Sequence, residues 1–322
     1  MTSTLPQEVQ EVFERFMTTE LCTVDSRGQP IVWPVTPYYE PGGATIDVTT
    51  GVGYPKKAED ARRNPRVALL FSDPTGSGIE SGIRVLVQGT PEVDDRDLKA
   101  NFERYREESD RKVPRVRKEW FPPAPLDRMF MWYFERIYIK VRPERIFVWP
   151  DGDLGKAPTI HDAHLEEVRS GHSEEAAEQH APATGGEVRW DDRVDDLGQR
   201  HDEAVLSWVA PDGFPIAARV PIRCDRNERR VRIEAEPVGL PMLEGRASLV
   251  AHSHAPDYKW VENFQLRGDL SRGDDGWTLT PRKLVGGIEN RDESTLARYR
   301  RSAGTAIRAY RKRRRFLKER GG

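Results

Sequence analysis

Two adjacent lysines, Lys56 and Lys57, are the residues whose type and position most favour binding chemistry in this chain. A strand pattern that ends in Thr49 and Thr50 precedes them, and a short helical pattern starts with them. Ammonium groups neutralise a phosphate as point charges, and the free amides of a helix start add hydrogen-bond donors. Spacing alone fits two solvated lysines on a surface helix at least as well, so both interpretations stay open at this point.

The elements that must position the lysines surround them in the sequence. Residues 30–39 and 44–50 alternate Val, Ile, Thr and aromatic side chains, which predicts two strands, and Gly42-Gly43 predicts the turn between them. Asn64-Pro65 ends the short helix after the lysines, because the residue before a proline is pushed out of helical geometry. Residues 66–73 then predict a third strand.

This order of signals resembles the split-barrel flavin-binding family, which includes pyridoxamine 5'-phosphate oxidase-like proteins and deazaflavin (coenzyme F420)-dependent reductases. The resemblance covers roughly the first half of the chain. The residues that carry it are a Pro-Val-Thr-Pro-Tyr strand followed by Thr49, Thr50, Tyr54, Lys56, Lys57, Asn64 and Pro65. It implies FMN or coenzyme F420 as the cofactor, with haem as a minor possibility. It also implies hydride transfer to or from a small organic substrate, with the bound ring carrying the electrons.

The resemblance further implies which residues bind the cofactor. The lysine pair would neutralise its phosphate, and the hydroxyls of Thr49 and Thr50 would bind the phosphate or ring carbonyls. Val35 lies on the strand whose backbone faces the ring in this family, and Arg84 matches a position where relatives place a polar residue near the cofactor. The full implied set is Trp33, Pro34, Val35, Thr49, Thr50, Tyr54, Lys56, Lys57 and Arg84.

Two features separate the chain from the oxidase itself. Trp149 is followed by Pro-Asp-Gly-Asp, so the Arg-x-His-type substrate motif of the oxidase is missing and oxidation of pyridoxamine phosphate is not expected. The sequence also presents no acid–base dyad, so no catalytic residue is predicted. Two other classes of protein therefore stay open: a non-catalytic binder of flavin, deazaflavin or haem, and an interaction protein that has lost its ligand.

The second half of the chain repeats landmarks of the first. Gly28-Gln-Pro30 recurs as Gly213-Phe-Pro215, and Val52-Gly-Tyr-Pro55 recurs as Val238-Gly-Leu-Pro241. Recurrence in the same order predicts two copies of one all-β unit. The second copy lacks the lysine pair, so only the first is expected to bind a phosphate there.

The predicted fold class is therefore mainly β, with two tandem split β-barrels, peripheral helices and a basic C-terminal helix. The predicted divisions are a first barrel over 1–150, an acidic linker over 151–186, a degenerate second barrel over 187–289 and the basic helix over 290–322. Family members bind the cofactor between two barrels of a dimer, so the fused pair predicts an intramolecular pseudo-dimer, with a homodimer as the alternative.

Composition limits the partners and the location. The 322 residues hold 51 Lys and Arg and 53 Asp and Glu, for a net charge of −2. A nearly balanced charge makes nucleic acid an unlikely obligatory partner, and no apolar run predicts a membrane span or a secretory signal. Cys22 and Cys224 each lie in an apolar strand pattern, which predicts buried thiols in a cytoplasmic protein.

Three other groups of residues could carry chemistry. The aromatic run 129–134 could line a pocket, although such runs more often form core. His252 and His254 alternate on a strand and could be haem ligands, although a surface or pocket-edge pair is the preferred interpretation. A metal site is conceivable but not expected at the linker histidines His161, His164, His172 and His180. The basic helix is expected to dock on the barrels or on a partner subunit.

Overall fold

The structure is a computed structural model, and it describes residues 5–113, 131–162, 186–289 and 295–319. Within these ranges, the first half of the chain forms an antiparallel sheet with four helices. Its strands are β1 Thr19–Val24, β2 Pro30–Val35, β3 Pro37–Tyr38, β4 Ile46–Gly51, β5 Val67–Phe71, β6 Arg84–Asp94, β7 Arg136–Trp149 and β8 Thr159–Asp162. Its helices are α1 Gln7–Arg15, α2 Lys56–Arg63, α3 Leu98–Lys112 and α4 Met131–Phe134.

The second half forms a closed six-stranded barrel followed by the C-terminal helix. Its strands are β9 Glu203–Val209, β10 Pro215–Asp225, β11 Arg230–Ile233, β12 Gly245–His254, β13 Val261–Gly273 and β14 Gly276–Glu289. Helix α5, Asp192–Arg200, precedes the barrel, and helix α6, Thr295–Glu319, follows it.

The two sheets share one order of strand pairing. The first runs β2-β1-β5-β6-β7-β4-β3, with β8 added on β7, and the second runs β10-β11-β14-β13-β12-β9 with β9 closing on β10. Strands β2 and β3 together take the place that the single long strand β10 takes in the second sheet. The predicted fold class, mainly β with two split-barrel sheets and a C-terminal helix, is confirmed.

Strand β5 shows why the two sheets pack against each other. Val67, Leu69 and Phe71 lie in the core inside the first sheet, whereas Ala68 and Leu70 lie in the core shared with the second barrel. Successive side chains on a strand point to opposite faces, so a strand covered on both faces is apolar throughout. The packing is reciprocal, because β2 contacts β12 and its counterpart β10 contacts β5.

Two elements lie where the sequence did not predict them. Strand β8 pairs with residues 145–148 of β7 inside the segment expected to be a linker. Helix α5 lies at the start of the second barrel and packs on β10. None of the helices in the described ranges is both long and apolar enough to cross a bilayer.

Candidate functional site

The two lysines begin α2 as the sequence predicted, but their surroundings differ. The Lys56 ammonium lies 2.8 Å from the carboxylate of the buried Asp60 and 3.9 Å from that of Asp25. Its charge is therefore already compensated by the protein. Lys56 is also the more exposed of the two lysines, with 52% of its side chain accessible.

Lys57 is half-buried and forms neither a hydrogen bond nor an ion pair with the described residues. Its ammonium lies 6.0 Å from the centroid of the Trp33 ring, one of the residues predicted to line the cofactor site. Burial, together with the positive charge of Arg136, lowers the pKa of Lys57 to about 8. A partly desolvated cation beside a second cation is costly unless a negative charge joins them.

Arg136, the second cation, was missed by the sequence analysis. It begins β7 two residues after the last aromatic residue of the run, Phe134, and pairs in register with Gly51. Strands β4 and β7 therefore bring it to the end of the predicted Thr49-Thr50 strand. Its guanidinium lies 4.1 Å from the ring centroids of both Tyr105 and Tyr133. A basic residue that opens a strand just after an aromatic run was the signal available in the sequence.

Arg136 has no carboxylate partner within the described part of the chain. It is 7% exposed, its Nη2 donates to the Tyr105 hydroxyl at 2.7 Å, and its buried Nε has no acceptor. Trp132, 8% exposed, also has a buried indole Nε1 without an acceptor. Lys57, Arg136 and Trp132 together form what we call the donor cluster. Arg136 and Trp132 each have a buried N–H without an acceptor among the described residues, and Lys57 has no hydrogen-bond partner among them.

The loop between β4 and α2 is fixed by hydrogen bonds to the aromatic run. Val52 N donates to Glu135 O at 3.0 Å, and Gly53 N donates to Trp132 O at 2.9 Å. The Trp132 ring in turn contacts the half-exposed Tyr54 ring edge-on, with centroids 5.7 Å apart. The aromatic run therefore forms a wall of the predicted cofactor loop as well as part of a core cluster that includes Phe134.

The remaining predicted residues fall into two groups. Trp33, Pro34 and Val35 are half-buried on β2, and Thr49 is half-buried on β4. The Thr50 hydroxyl donates to Tyr54 O at 2.9 Å and so stabilises the loop. Their contacts with a cofactor stay a prediction.

Arg84 lies apart from the others. It pairs with Trp149 at the far end of the 14-residue strand β7, whereas Gly51 pairs with Arg136 at its beginning. Its guanidinium donates to the Glu203 carboxylate at 3.0 Å and to the Arg219 carbonyl at 2.9 Å. In this position Arg84 connects the first sheet to the second barrel.

A buried polar network joins the two halves at β1 and β10. The Glu20 carboxylate, fully buried, accepts from Arg219 Nη2 at 3.0 Å and from Ser72 Oγ at 2.9 Å, and lies 2.6 Å from His252 Nε2. Its second oxygen, Oε2, has no partner among the described residues. Arg219 Nε also donates to Ser72 at 2.9 Å, so the guanidinium bridges the interface.

The preferred interpretation of His252 and His254 as a surface or pocket-edge pair is wrong, because both are buried between the two halves. His254 Nε2 lies 3.0 Å from Thr18 Oγ1, its Nδ1 lies 2.9 Å from Ala255 O, and its ring stacks on Tyr258 at 4.5 Å. Burial lowers the pKa of His254, which favours its neutral form. Both ring nitrogens of His254 are thus engaged, which does not favour a haem ligand.

The other residues that the sequence singled out form no further site within the described ranges. Of the linker histidines, His161 lies on β8, and His164, His172 and His180 lie outside the described residues. Within the described ranges, no group of three or more His, Cys, Asp and Glu side chains could hold a metal ion. Both cysteines are free thiols. A surface hollow of about 460 Å³ on the second barrel has walls of Asp192 and Arg226, which pair with each other.

The first sheet and most of this site lie in the part of the chain that is similar to a known protein family. Residues 5–128 match the family model described as pyridoxamine 5'-phosphate oxidase, so the predicted resemblance is confirmed over this part of the chain. The comparison with curated proteins gave no match.

Solved structures of single barrels are also similar in part. An F420 reductase is 22% identical over 44% of this chain and 98% of its own, with a TM-score of 0.32. A FAD-binding protein from Mesorhizobium loti is 19% identical over 45% and 94%, with a TM-score of 0.31. The haem storage protein HutZ from Vibrio cholerae is 16% identical over 46% and 95%, with a TM-score of 0.30. Each matches less than half of this chain.

Proposed function

We propose that this chain is an FMN- or F420-dependent oxidoreductase that moves a hydride between the bound ring and a small organic substrate. Lys57 and Arg136 bind the cofactor phosphate in this proposal, and the half-buried β2 residues Trp33 to Val35 line the ring. The observation that supports it is the pair of a half-buried and a buried cation, Lys57 and Arg136, with no carboxylate partner in the described chain. A phosphate group can accept hydrogen bonds from both cations and from the unpartnered donors beside them.

The residues at the site fit a phosphorylated cofactor, and each has a role in holding it. The cofactor ring supplies the hydride chemistry when bound, and the chain binds, orients and shields it. Lys57 and Arg136 supply positive charge. The aromatic rings around Arg136 exclude water, which strengthens the electrostatic attraction between these cations and a phosphate. The reciprocal packing of β2 on β12 and β10 on β5 supports a pseudo-dimer within one chain, with the cofactor between its halves.

The test is titration of the purified protein with FMN, riboflavin, coenzyme F420 and haem, followed by absorbance and fluorescence. The proposal expects tight binding of FMN or F420, and FMN binding much tighter than riboflavin binding because riboflavin lacks the phosphate. It also expects the bound ring to be reduced by NADPH or another donor and reoxidised by an organic acceptor. If the protein binds none of these ligands, the proposed oxidoreductase function is excluded.

A non-catalytic binder of the same cofactor is the alternative that the same contacts support. The donor cluster accounts for binding, whereas no acid–base dyad has been identified beside it. A ring that binds tightly but is neither reduced nor reoxidised by any donor or acceptor would favour this alternative. An interaction protein without a ligand predicts no bound chromophore at all.

A further inference from the structure

The C-terminal helix α6 packs against the candidate phosphate site. Ala309 is buried beneath Gly53 and Trp132, so close that a Cβ on Gly53 would lie 2.9 Å from the Ala309 Cβ. Phe316 is buried in the core of the first sheet. The helix therefore lies along the same loop whose end carries the lysines.

One ion pair joins α6 to the strand start that carries Arg136. Arg313 Nε donates to Glu135 Oε2 and Arg313 Nη2 donates to Glu135 Oε1, each at 2.6 Å. The pair is mostly buried, with 23% of the Arg313 side chain and 13% of the Glu135 side chain exposed. A two-point contact of this kind fixes orientation as well as distance.

Glu135 is placed to transmit that orientation to the donor cluster. It precedes Arg136 in the chain, and its carbonyl accepts from Val52 N, while the Trp132 carbonyl accepts from Gly53 N. A shift of Glu135 would move Arg136 and loosen the Val52-Gly53 loop together. Geometry held to fractions of an ångström by a supporting contact is what a selective binding site requires.

We propose that α6 is a fixed wall of the phosphate site, with Arg313 and Glu135 as positioning residues that set the selectivity for phosphorylated ligands. This inference rests on the proposed function for its ligand. In this view Arg313 positions the site, while Lys312 on the same helix lies 5.7 Å from the centroid of the Tyr54 ring. Most other cations of the helix, such as Arg311 and Arg314, are exposed to solvent.

The variant Arg313→Gln tests the proposal, and Arg315→Gln is its matched control. Arg315 lies on the same helix but pairs only with the exposed Glu319 within the described chain. Arg313→Gln is expected to reduce the ratio of riboflavin to FMN dissociation constants roughly tenfold. Arg315→Gln is expected to leave the ratio unchanged, and Arg313→Lys to restore part of it.

Hydrogen exchange in the ligand-free protein gives a readout that does not depend on the cofactor. Arg313→Gln and Glu135→Gln should each speed exchange of the Val52 and Gly53 amides, and the double variant should add little to either. Unchanged hydrogen exchange in Arg313→Gln would refute the proposal. Faster exchange with an unchanged ratio of riboflavin to FMN dissociation constants would also refute it. If the parent protein neither prefers FMN to riboflavin nor binds F420, the proposed function fails, while exchange still decides whether α6 fixes the loop.

Discussion

Lys57 and Lys56 are adjacent and identical in type, yet the structure gives them different electrostatic roles. Lys56 already has carboxylate partners in Asp60 and Asp25, whereas Lys57 has none in the described chain. A cation that is already paired gains less from an added phosphate, because binding must compete with the existing partner. Substituting each lysine in turn therefore compares a cation that already has carboxylate partners with one that has none in the described chain.

Lys57→Ala is expected to weaken FMN binding by roughly 10- to 100-fold, the loss of one charge-assisted contact, and Lys56→Ala by less than about threefold. Fluorescence titration with FMN measures both, and riboflavin titration is the control, since it should be insensitive to either change. Equal losses in the two variants would contradict the assignment of the phosphate to Lys57.

The lowered pKa of Lys57 makes a second prediction, on pH. With a pKa of about 8 in the free protein, Lys57 is charged at pH 7 and mostly neutral at pH 9. The phosphate of FMN is a dianion throughout this range, since its second pKa is about 6. FMN affinity should therefore fall above pH 8, by up to about tenfold per pH unit.

Lys57→Arg provides the control for this pH dependence, because arginine stays charged at every pH used. Its FMN affinity should be flat from pH 7 to about pH 9.5. A parent protein whose affinity is equally flat would show that protonation of Lys57 does not govern binding.

The sequence predicted Lys57 and missed Arg136 for a physical reason. Lysines at the start of a helix, next to a threonine pair, form a local pattern that a sequence displays directly. Arg136 reaches the same place only through the pairing of β4 with β7, and strand register is not visible in one sequence. Arg84 illustrates the converse, because a plausible strand position proved to lie at the other end of β7.

At the scale of elements, the strands were predictable and their partners were not. Helix α5 was missed because its nine residues include Gly198, a poor helix former. The structure explains that glycine, since a Cβ there would lie 2.8 Å from the Cβ of Cys224 on β10. The close packing of α5 on β10 thus requires a glycine in the helix, and that glycine weakens the helical pattern in the sequence.

The interface between β1 and β10 predicts a large effect from a single substitution. Arg219→Ala leaves Glu20 buried without its cation and should lower the free energy of unfolding by about 3–5 kcal/mol. Arg223→Ala, on the same strand but 65% exposed in its pair with Glu234, should cost about 1 kcal/mol or less. Urea unfolding measures both, and equal costs would mean that the buried network contributes no more than a surface pair.

The docking of α6 depends on the absence of a side chain at Gly53. Gly53→Ala would bring a methyl group to 2.9 Å from Ala309 and 3.0 Å from the Trp132 ring, neither of which can move easily. The substitution should loosen α6 and speed tryptic cleavage after Arg311 and Arg314. Gly273→Ala, where nothing lies within 4 Å of the new methyl group, is the control and should leave cleavage unchanged.

For the whole molecule, the proposed pseudo-dimer predicts one cofactor per chain. The second half carries no lysine pair at the position of Lys56 and Lys57, so the matching site there lacks its cations. Calorimetric titration should give one FMN or F420 per chain at saturation. Two equivalent sites per chain would contradict the pseudo-dimer, and one site per two chains would indicate that the cofactor lies between chains instead.

The ion pair of Glu20 with Arg219 also decides which halves can associate. In strand register Glu20 lies opposite Pro34, and Val205 lies opposite Arg219, so the pair that mirrors Glu20 and Arg219 is Val205 and Pro34. Two copies of the first half would bury each Glu20 against a proline, with no cation for either carboxylate. Because the two halves of this chain differ at these positions, the ion pair forms once, whereas a symmetric dimer of identical subunits would have to form any such pair twice or not at all.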